Sequence, residues 1–268
     1  LWFKKYLTEE QLQKLPVQVV FSLIAVTYVI INFLIFFILP YVYSRGVVFL
    51  WLVIANVMYF LITYNYYRVH FTTPDCIPKS YYTVSEEDQG ECEYCDTCQM
   101  YKADRVHHCH TTNRCIYRFD HYCAFVGNSL GLHNYRYFFL FLFYLWISML
   151  LVDFNIYQIF THVNIDFIPY KLLVLMCMFF GNLTFALTME MGFIAITITF
   201  NYTSKEIIDT LATLFRDKKW IPNKHYKSVI SNWKEAMQVG ENEPLIIGFL
   251  PTAARFPSNR LTDRKSVV

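Results

Sequence analysis

The chain has 268 residues, of which 55% are hydrophobic, 19% aromatic and only 16% charged, against about 25% charged in an ordinary soluble domain. This excludes a disordered chain, which needs low hydrophobicity and high net charge, and eight cysteines in this length are too sparse for a disulfide-stapled secreted scaffold. A net charge of +2 gives no argument for nucleic acid, and no nucleic-acid partner is expected.

Four long apolar runs take up the excess. Residues 17–39 and 47–67 carry no charge, 138–160 carries only Asp153, and 172–200 only Glu190. Each reaches the roughly 20 residues that a bilayer span requires. Four buried helices of a soluble bundle are the alternative, but such helices show a polar face and these runs show almost none. Tyr41, Tyr43, Tyr64, Tyr66, Tyr67, Tyr135, Tyr137 and Tyr170 crowd the run ends, as an interfacial belt does. The first run is too long for a cleaved signal peptide, and residues of both charge signs precede it. The chain opens on Leu1 rather than Met, so further residues are expected upstream.

Four spans put both termini and the middle segment on one side, and 21 of the 23 Lys and Arg fall there. By the positive-inside rule that side is cytosolic. The expected fold class is an all-α polytopic membrane protein with four transmembrane helices and a small zinc-binding, cysteine-rich cytosolic domain between helices 2 and 3. Its expected divisions are 1–67 (N-terminal segment and helices 1 and 2), 68–137 (cysteine-rich domain), 138–200 (helices 3 and 4) and 201–268 (cytosolic C-terminal region).

Seven cysteines, Cys76, Cys92, Cys95, Cys98, Cys109, Cys115 and Cys123, lie in the middle segment, and Cys177 lies in a span. A reducing cytosol disfavours structural disulfides, so the cluster reads as metal-binding, catalytic or both. Two residues between thiols let a tight turn aim both sulfurs at one tetrahedral ion. With His107, His108 and His110 nearby, one zinc site can be built several ways. Next comes Asp120-His121-Tyr122-Cys123, a carboxylate, an imidazole and a thiol within four residues. A thiolate is the nucleophilic form of cysteine. A neighbouring His can take the thiol proton, and a carboxylate can fix that His.

These residues resemble the cysteine-rich domain of the DHHC family of protein S-acyltransferases. The resemblance rests on Cys95-x-x-Cys98, Lys102-Ala-Asp-Arg105, His108-Cys109, Cys115, Asp120-His121-Tyr122-Cys123, Asn128, Gly131 and Asn134. Thr203-Ser204-Lys205-Glu206 and Asn232-Trp233-Lys234 add weaker matches. It implies a zinc site at Cys95, Cys98, His108 and Cys115 and a catalytic set of Cys123, His121 and Asp120. It also implies contacts from Lys102 and Arg105 to the phosphates of acyl-CoA, although a solvated basic face, or attraction to anionic lipid, would use the same charges. Thr203 is expected to reach Asp120, and a helix cap is the plainer reading of that stretch.

Members of the family usually bind two zinc ions. Here the second site would use Cys109, Thr112, Tyr122 and Ser129, and neutral hydroxyls are poor zinc ligands. One structural zinc is therefore expected, with Cys92, Cys109 and His110 left as an unorthodox second donor set. Ala124 and Phe125 stand where Pro-Trp is usual. The Asp-His-x-Cys core is intact, so the implied activity is transfer of a long-chain acyl group, palmitoyl by resemblance, from acyl-CoA through Cys123 to cysteines of membrane-associated proteins. The implied setting is a Golgi, endoplasmic reticulum or plasma membrane, and an accessory subunit is not legible. A non-catalytic zinc-containing scaffold is the rival. A transporter using Asp153 and Glu190 is disfavoured, because no chain of polar partners joins them. Ser148 matches a position where, by resemblance, side-chain size sets acyl-chain length. Residues 245–250 are apolar but too short to span, and lie on the membrane or pack on the core. The last dozen residues, with Arg260, Arg264 and Lys265, read as a mobile basic end.

Overall fold

A computed structural model describes residues 9–74, 90, 92–162, 170–219 and 223–252. Cys76 and the basic end around Arg260, Arg264 and Lys265 lie outside the described residues. Four long helices dominate: α1 (Glu9–Phe37), α2 (Arg45–Phe71), α3 (Tyr135–His162) and α4 (Tyr170–Thr199). Each is long and apolar enough to cross a membrane. At 1.5 Å per residue, helices of this length exceed a hydrocarbon core of about 30 Å. α1 begins well before its apolar run and takes in Pro16. It ends before Pro40, whose missing N–H cannot continue the ladder, and a 3-10 turn at Leu39–Tyr41 leads towards α2.

The outward faces settle the choice between bilayer and soluble bundle. Phe33, Phe36 and Phe37 on α1, Phe49 and Phe60 on α2, and Phe179 and Phe185 on α4 are all more than half exposed. In water, apolar area on this scale drives association; in lipid it is the preferred surface. The protein is an integral membrane protein.

The described residues fall into two compact units. One takes in 17–66 and 139–194, the other 9–16, 67–138 and 195–252. In the first, Ile35 and Leu39 bury against Ile156 and Ile159. Polar bonds join its helices: Tyr28 donates to Asn56 Oδ1 at 2.9 Å and Trp146 Nε1 to Thr188 Oγ1 at 2.9 Å. Such bonds average about 0.6 kcal/mol in a bilayer. The amides of Asn155 and Asn182 go instead to carbonyls one turn back, as does the Ser148 hydroxyl. Among the described residues neither amide bonds to Asp153 or Glu190.

The second unit holds three short antiparallel hairpins and two short helices. The hairpins are β1 (Tyr94–Cys95) with β2 (Met100–Tyr101), β3 (Val106–Cys109) with β4 (Arg114–Tyr117), and β5 (Tyr122–Cys123) with β6 (Asn128–Ser129). Helices α5 (Ser204–Asp217) and α6 (Val229–Ala236) follow α4. Residues 245–250 pack on this unit. They form a 3-10 segment at Leu245–Phe249, and the buried Arg136 guanidinium donates to the carbonyls of Gly248 and Leu250 at 2.9 and 2.8 Å. A Cβ on Gly248 would come within 2.7 Å of Met237 Cβ, so glycine is what allows that approach.

Candidate active site

The β1–β2 turn carries Cys95 at its start and Cys98 within it. In the next hairpin His108 and Cys115 are cross-strand partners, which puts their Cβ atoms about 5 Å apart. The four donor atoms lie within 4.8 Å of one another. His108 Nδ1 is 3.5 Å from Cys95 Sγ, 3.3 Å from Cys98 Sγ and 3.9 Å from Cys115 Sγ. Tetrahedral zinc with bonds of about 2.3 Å to sulfur and 2.0–2.1 Å to nitrogen needs a sulfur–nitrogen separation of about 3.6 Å, so the set fits. Burial first, and then the neighbouring Cys95 and Cys98 thiols, push the Cys115 thiol far up. Such crowding suits a cation at the centre. All four positions are protein ligands, so zinc here would be structural.

The Asp120-His121-Tyr122-Cys123 stretch enters the third hairpin. Asp120 N donates to Leu130 O at 2.8 Å and Leu130 N to His121 O at 2.8 Å, which fixes the backbone on both sides of the imidazole. The Asp120 carboxylate is 4% exposed, and its Oδ2 lies 2.7 Å from His121 Nδ1. With Nδ1 committed to Asp120, Nε2 is the nitrogen left for chemistry. Burial by itself would lower the His121 pKa. Hydrogen bonds to Asp120 and to the Cys123 thiol, with their charges, outweigh it and raise the imidazole to about 9. Asp120 is itself held from 84 residues away, by Ser204 N to Oδ1 at 2.7 Å and Ser204 Oγ to Oδ2 at 2.9 Å.

Residues 88–211 match the sequence model of DHHC palmitoyltransferase. The chain carries a DHHC domain. It is 29% identical to the probable protein S-acyltransferase 14 of Arabidopsis thaliana, over 55% of this chain and 56% of that one. It is 42% identical to palmitoyltransferase ZDHHC15 of Xenopus laevis over 26% and 21% of the two chains. For palmitoyltransferase ZDHHC2 of mouse the identity is 49%, over 20% and 15%. The chain thus spans about half the length of the first relative and about a fifth or less of the other two.

Two expectations about the DHHC domain need correction. Thr203 does not reach Asp120. Its hydroxyl accepts from Glu206 N at 3.2 Å while Glu206 Oε2 accepts from Thr203 N at 2.8 Å, a capping box at the start of α5. The neighbouring Ser204 makes the contact. Arg105 is not available to a phosphate either. Its side chain is 5% exposed. Its Nε and Nη2 donate to the two Glu206 oxygens at 2.6 and 2.8 Å, and Nη1 and Nη2 to Asn201 Oδ1 and O at 3.1 and 3.0 Å. Four of its five N–H groups are committed. Arg118 joins the cluster through Asn201 Oδ1 at 2.9 Å and Glu235 Oε1 at 3.4 Å. Arg105, Arg118 and Asn201 all have positive φ, a left-handed backbone that Asn tolerates but that costs about 1–2 kcal/mol for each arginine and that the bond network holds in place.

Lys102 differs. It pairs at 3.0 Å with Glu93, which is 82% exposed, so an incoming anion can displace that partner. The hydroxyls expected in place of second-site ligands also meet. Thr112 Oγ1 is 3.0 Å from Ser129 Oγ, Ser129 Oγ donates to Cys109 Sγ at 3.1 Å, and Tyr122 is the cross-strand partner of Ser129. Burial, then the nearby Cys109 and Cys123, raise the Tyr122 phenol. The sequence singled out Asn128 as a motif residue without giving its amide a role; it donates to the carbonyls of Val69, His70 and Thr72 at 3.0, 3.1 and 2.9 Å. That one side chain ties the Cys123 hairpin to the end of α2. Gly131 is set by packing, since a Cβ there would lie 2.5 Å from Ile116 Cγ2 and 2.9 Å from Tyr117 O.

Proposed function

We propose that this chain is a protein S-acyltransferase that carries a long-chain acyl group on Cys123. The observation that carries the reading is the relay from Ser204 through Asp120 to His121 and on to Cys123, set in a DHHC domain. An imidazole protonated at neutral pH sits beside the sulfur, the setting in which a cysteine acts as thiolate. The thiolate attacks the thioester carbonyl of acyl-CoA and the carbon–sulfur bond to CoA breaks. The departing CoA sulfur takes the proton from His121, leaving an acyl thioester on Cys123. A cysteine thiol of a membrane-associated protein then gives its proton to His121 and attacks that thioester. Its product carries the acyl group, and Cys123 returns to a thiolate beside imidazolium.

Lys102 supplies a point charge for CoA phosphate, and the four apolar helices supply the medium that a long acyl chain requires. Cys95, Cys98, His108 and Cys115 would hold a structural zinc, which would join the first two hairpins with no position open to substrate. The charge asymmetry of the sequence supports a cytosolic side for the hairpins and both termini. Incubating the purified protein with labelled palmitoyl-CoA tests the proposal. A hydroxylamine-sensitive label is expected on the parent protein and none on Cys123→Ser. An unlabelled parent protein would leave the scaffold reading in its place.

A further inference from the structure

The positions that resemblance assigns to a second metal do not fit one. Zinc needs several lone pairs aimed at one point, from thiolates, imidazoles or carboxylates. Cys109 is the one such donor here, and its sulfur faces a proton: Ser129 Oγ donates to it at 3.1 Å. Ser129 in turn lies 3.0 Å from Thr112 Oγ1. Cys109 is 5% exposed and Ser129 fully buried, so these bonds form out of water, where leaving a polar group unpaired is costly. The bonds also run between hairpins. Cys109 ends β3, Thr112 lies in the turn before β4, and Ser129 sits on β6 opposite Tyr122. Beyond Ser129, its carbonyl accepts from Asn134 Nδ2 at 2.9 Å, and the Asn134 carboxamide oxygen accepts from Gly131 N at 3.0 Å. The strand opposite Tyr122 and Cys123 is therefore gripped by side chains along its length.

We propose that Cys109, Thr112 and Ser129 form a metal-free clasp that binds the β3–β4 hairpin to the hairpin bearing His121 and Cys123, doing with hydrogen bonds what a second ion would do. Two consequences follow for the intact protein. It holds one zinc. The alignment of Cys123 depends on the hydroxyl of Ser129, whose side chain bonds to Cys109 and Thr112 and not to His121 or to Cys95, Cys98, His108 or Cys115.

The test counts metal in the purified full-length chain and measures alkylation of Cys123 by iodoacetamide, followed by peptide mass spectrometry. One zinc per chain is expected, and two would overturn the proposal. Ser129→Ala is expected to keep one zinc and slow Cys123 alkylation at neutral pH about fivefold, the size of one neutral hydrogen bond. Ser129→Thr, which keeps the hydroxyl, should recover the rate. Should Ser129→Ala fail to fold, Thr112→Val removes one hydroxyl at nearly constant shape and carries the same expectation. Alkylation equal to the parent in a folded variant would mean that the hydroxyls hold nothing. Neither readout uses acyl-CoA, so failure here leaves the transferase reading standing.

Discussion

His121 carries the chemistry that is most sensitive to its surroundings. Asp120 is buried and doubly held by Ser204, so the Nδ1 proton has a fixed acceptor. The result is an imidazole whose pKa stands at about 9 rather than the ordinary 6.5. Because the folded value is raised, the stability this pair contributes is complete below about pH 6.5 and is lost as pH rises through about 9. The proton lost in that titration is the one on Nε2, and it is the proton that serves the departing CoA sulfur. The rate of thioester formation on Cys123 is therefore expected to fall as pH rises through about 9, measured by stopped-time labelling across pH 6–10. His121→Ala should slow that step by about 10² to 10⁴, the range for a positioned acid–base group, and erase the alkaline limb. A limb centred near 6.5 in the parent protein would mean that Asp120 does not hold the imidazolium.

At the scale of elements, the start of α5 divides two jobs between adjacent hydroxyls. Thr203 closes the capping box with Glu206, and losing an N-cap costs about 1 kcal/mol. Ser204 instead positions Asp120, and a bond to a charged group is worth about 1.5–3 kcal/mol. Thr203→Ala is expected to lower the thermal midpoint by a few degrees with thioester formation close to the parent rate. Ser204→Ala should slow thioester formation about tenfold or more with less effect on the midpoint, and the reverse pattern would exchange the two assignments. This pair also shows how far the sequence could be read. Thr203-x-x-Glu206 is a capping box by spacing alone, which is why the plainer reading of Thr203 was right. That Asp120 is reached by the next residue depends on a contact across 84 positions that no local pattern encodes. Arg105 is the same case, since its partners Asn201 and Glu206 lie 96 and 101 residues on. The Cys95–Cys98–His108–Cys115 cluster was legible as a cluster because a hairpin turn and a cross-strand pair bring its members together within 21 residues of chain.

For the whole molecule, the apolar excess and the cysteines solve different folding problems. Each long helix satisfies its own backbone within the segment, as a membrane demands, so it persists without help from its neighbours. The hairpins have strands of two to four residues and a first core cluster built on Cys95, Met100, Ala103, Val106 and Cys115. Isolated hairpins of that size are marginal in water, and two members of the cluster are themselves metal-ligand candidates. Metal binding to such a site is folding free energy, of the order of 10–16 kcal/mol for structural zinc in small domains. Removing zinc with a strong chelator should therefore loosen residues 92–123 selectively. The expected signature is rapid proteolysis between the first two hairpins and loss of thioester formation, with the helical circular dichroism signal nearly unchanged. Returning zinc should restore both. Full labelling of Cys123 in protein shown by metal analysis to be zinc-free would mean that the hairpins stand on their own packing. The Cys95–Cys98–His108–Cys115 cluster would then be four reduced residues sharing a core.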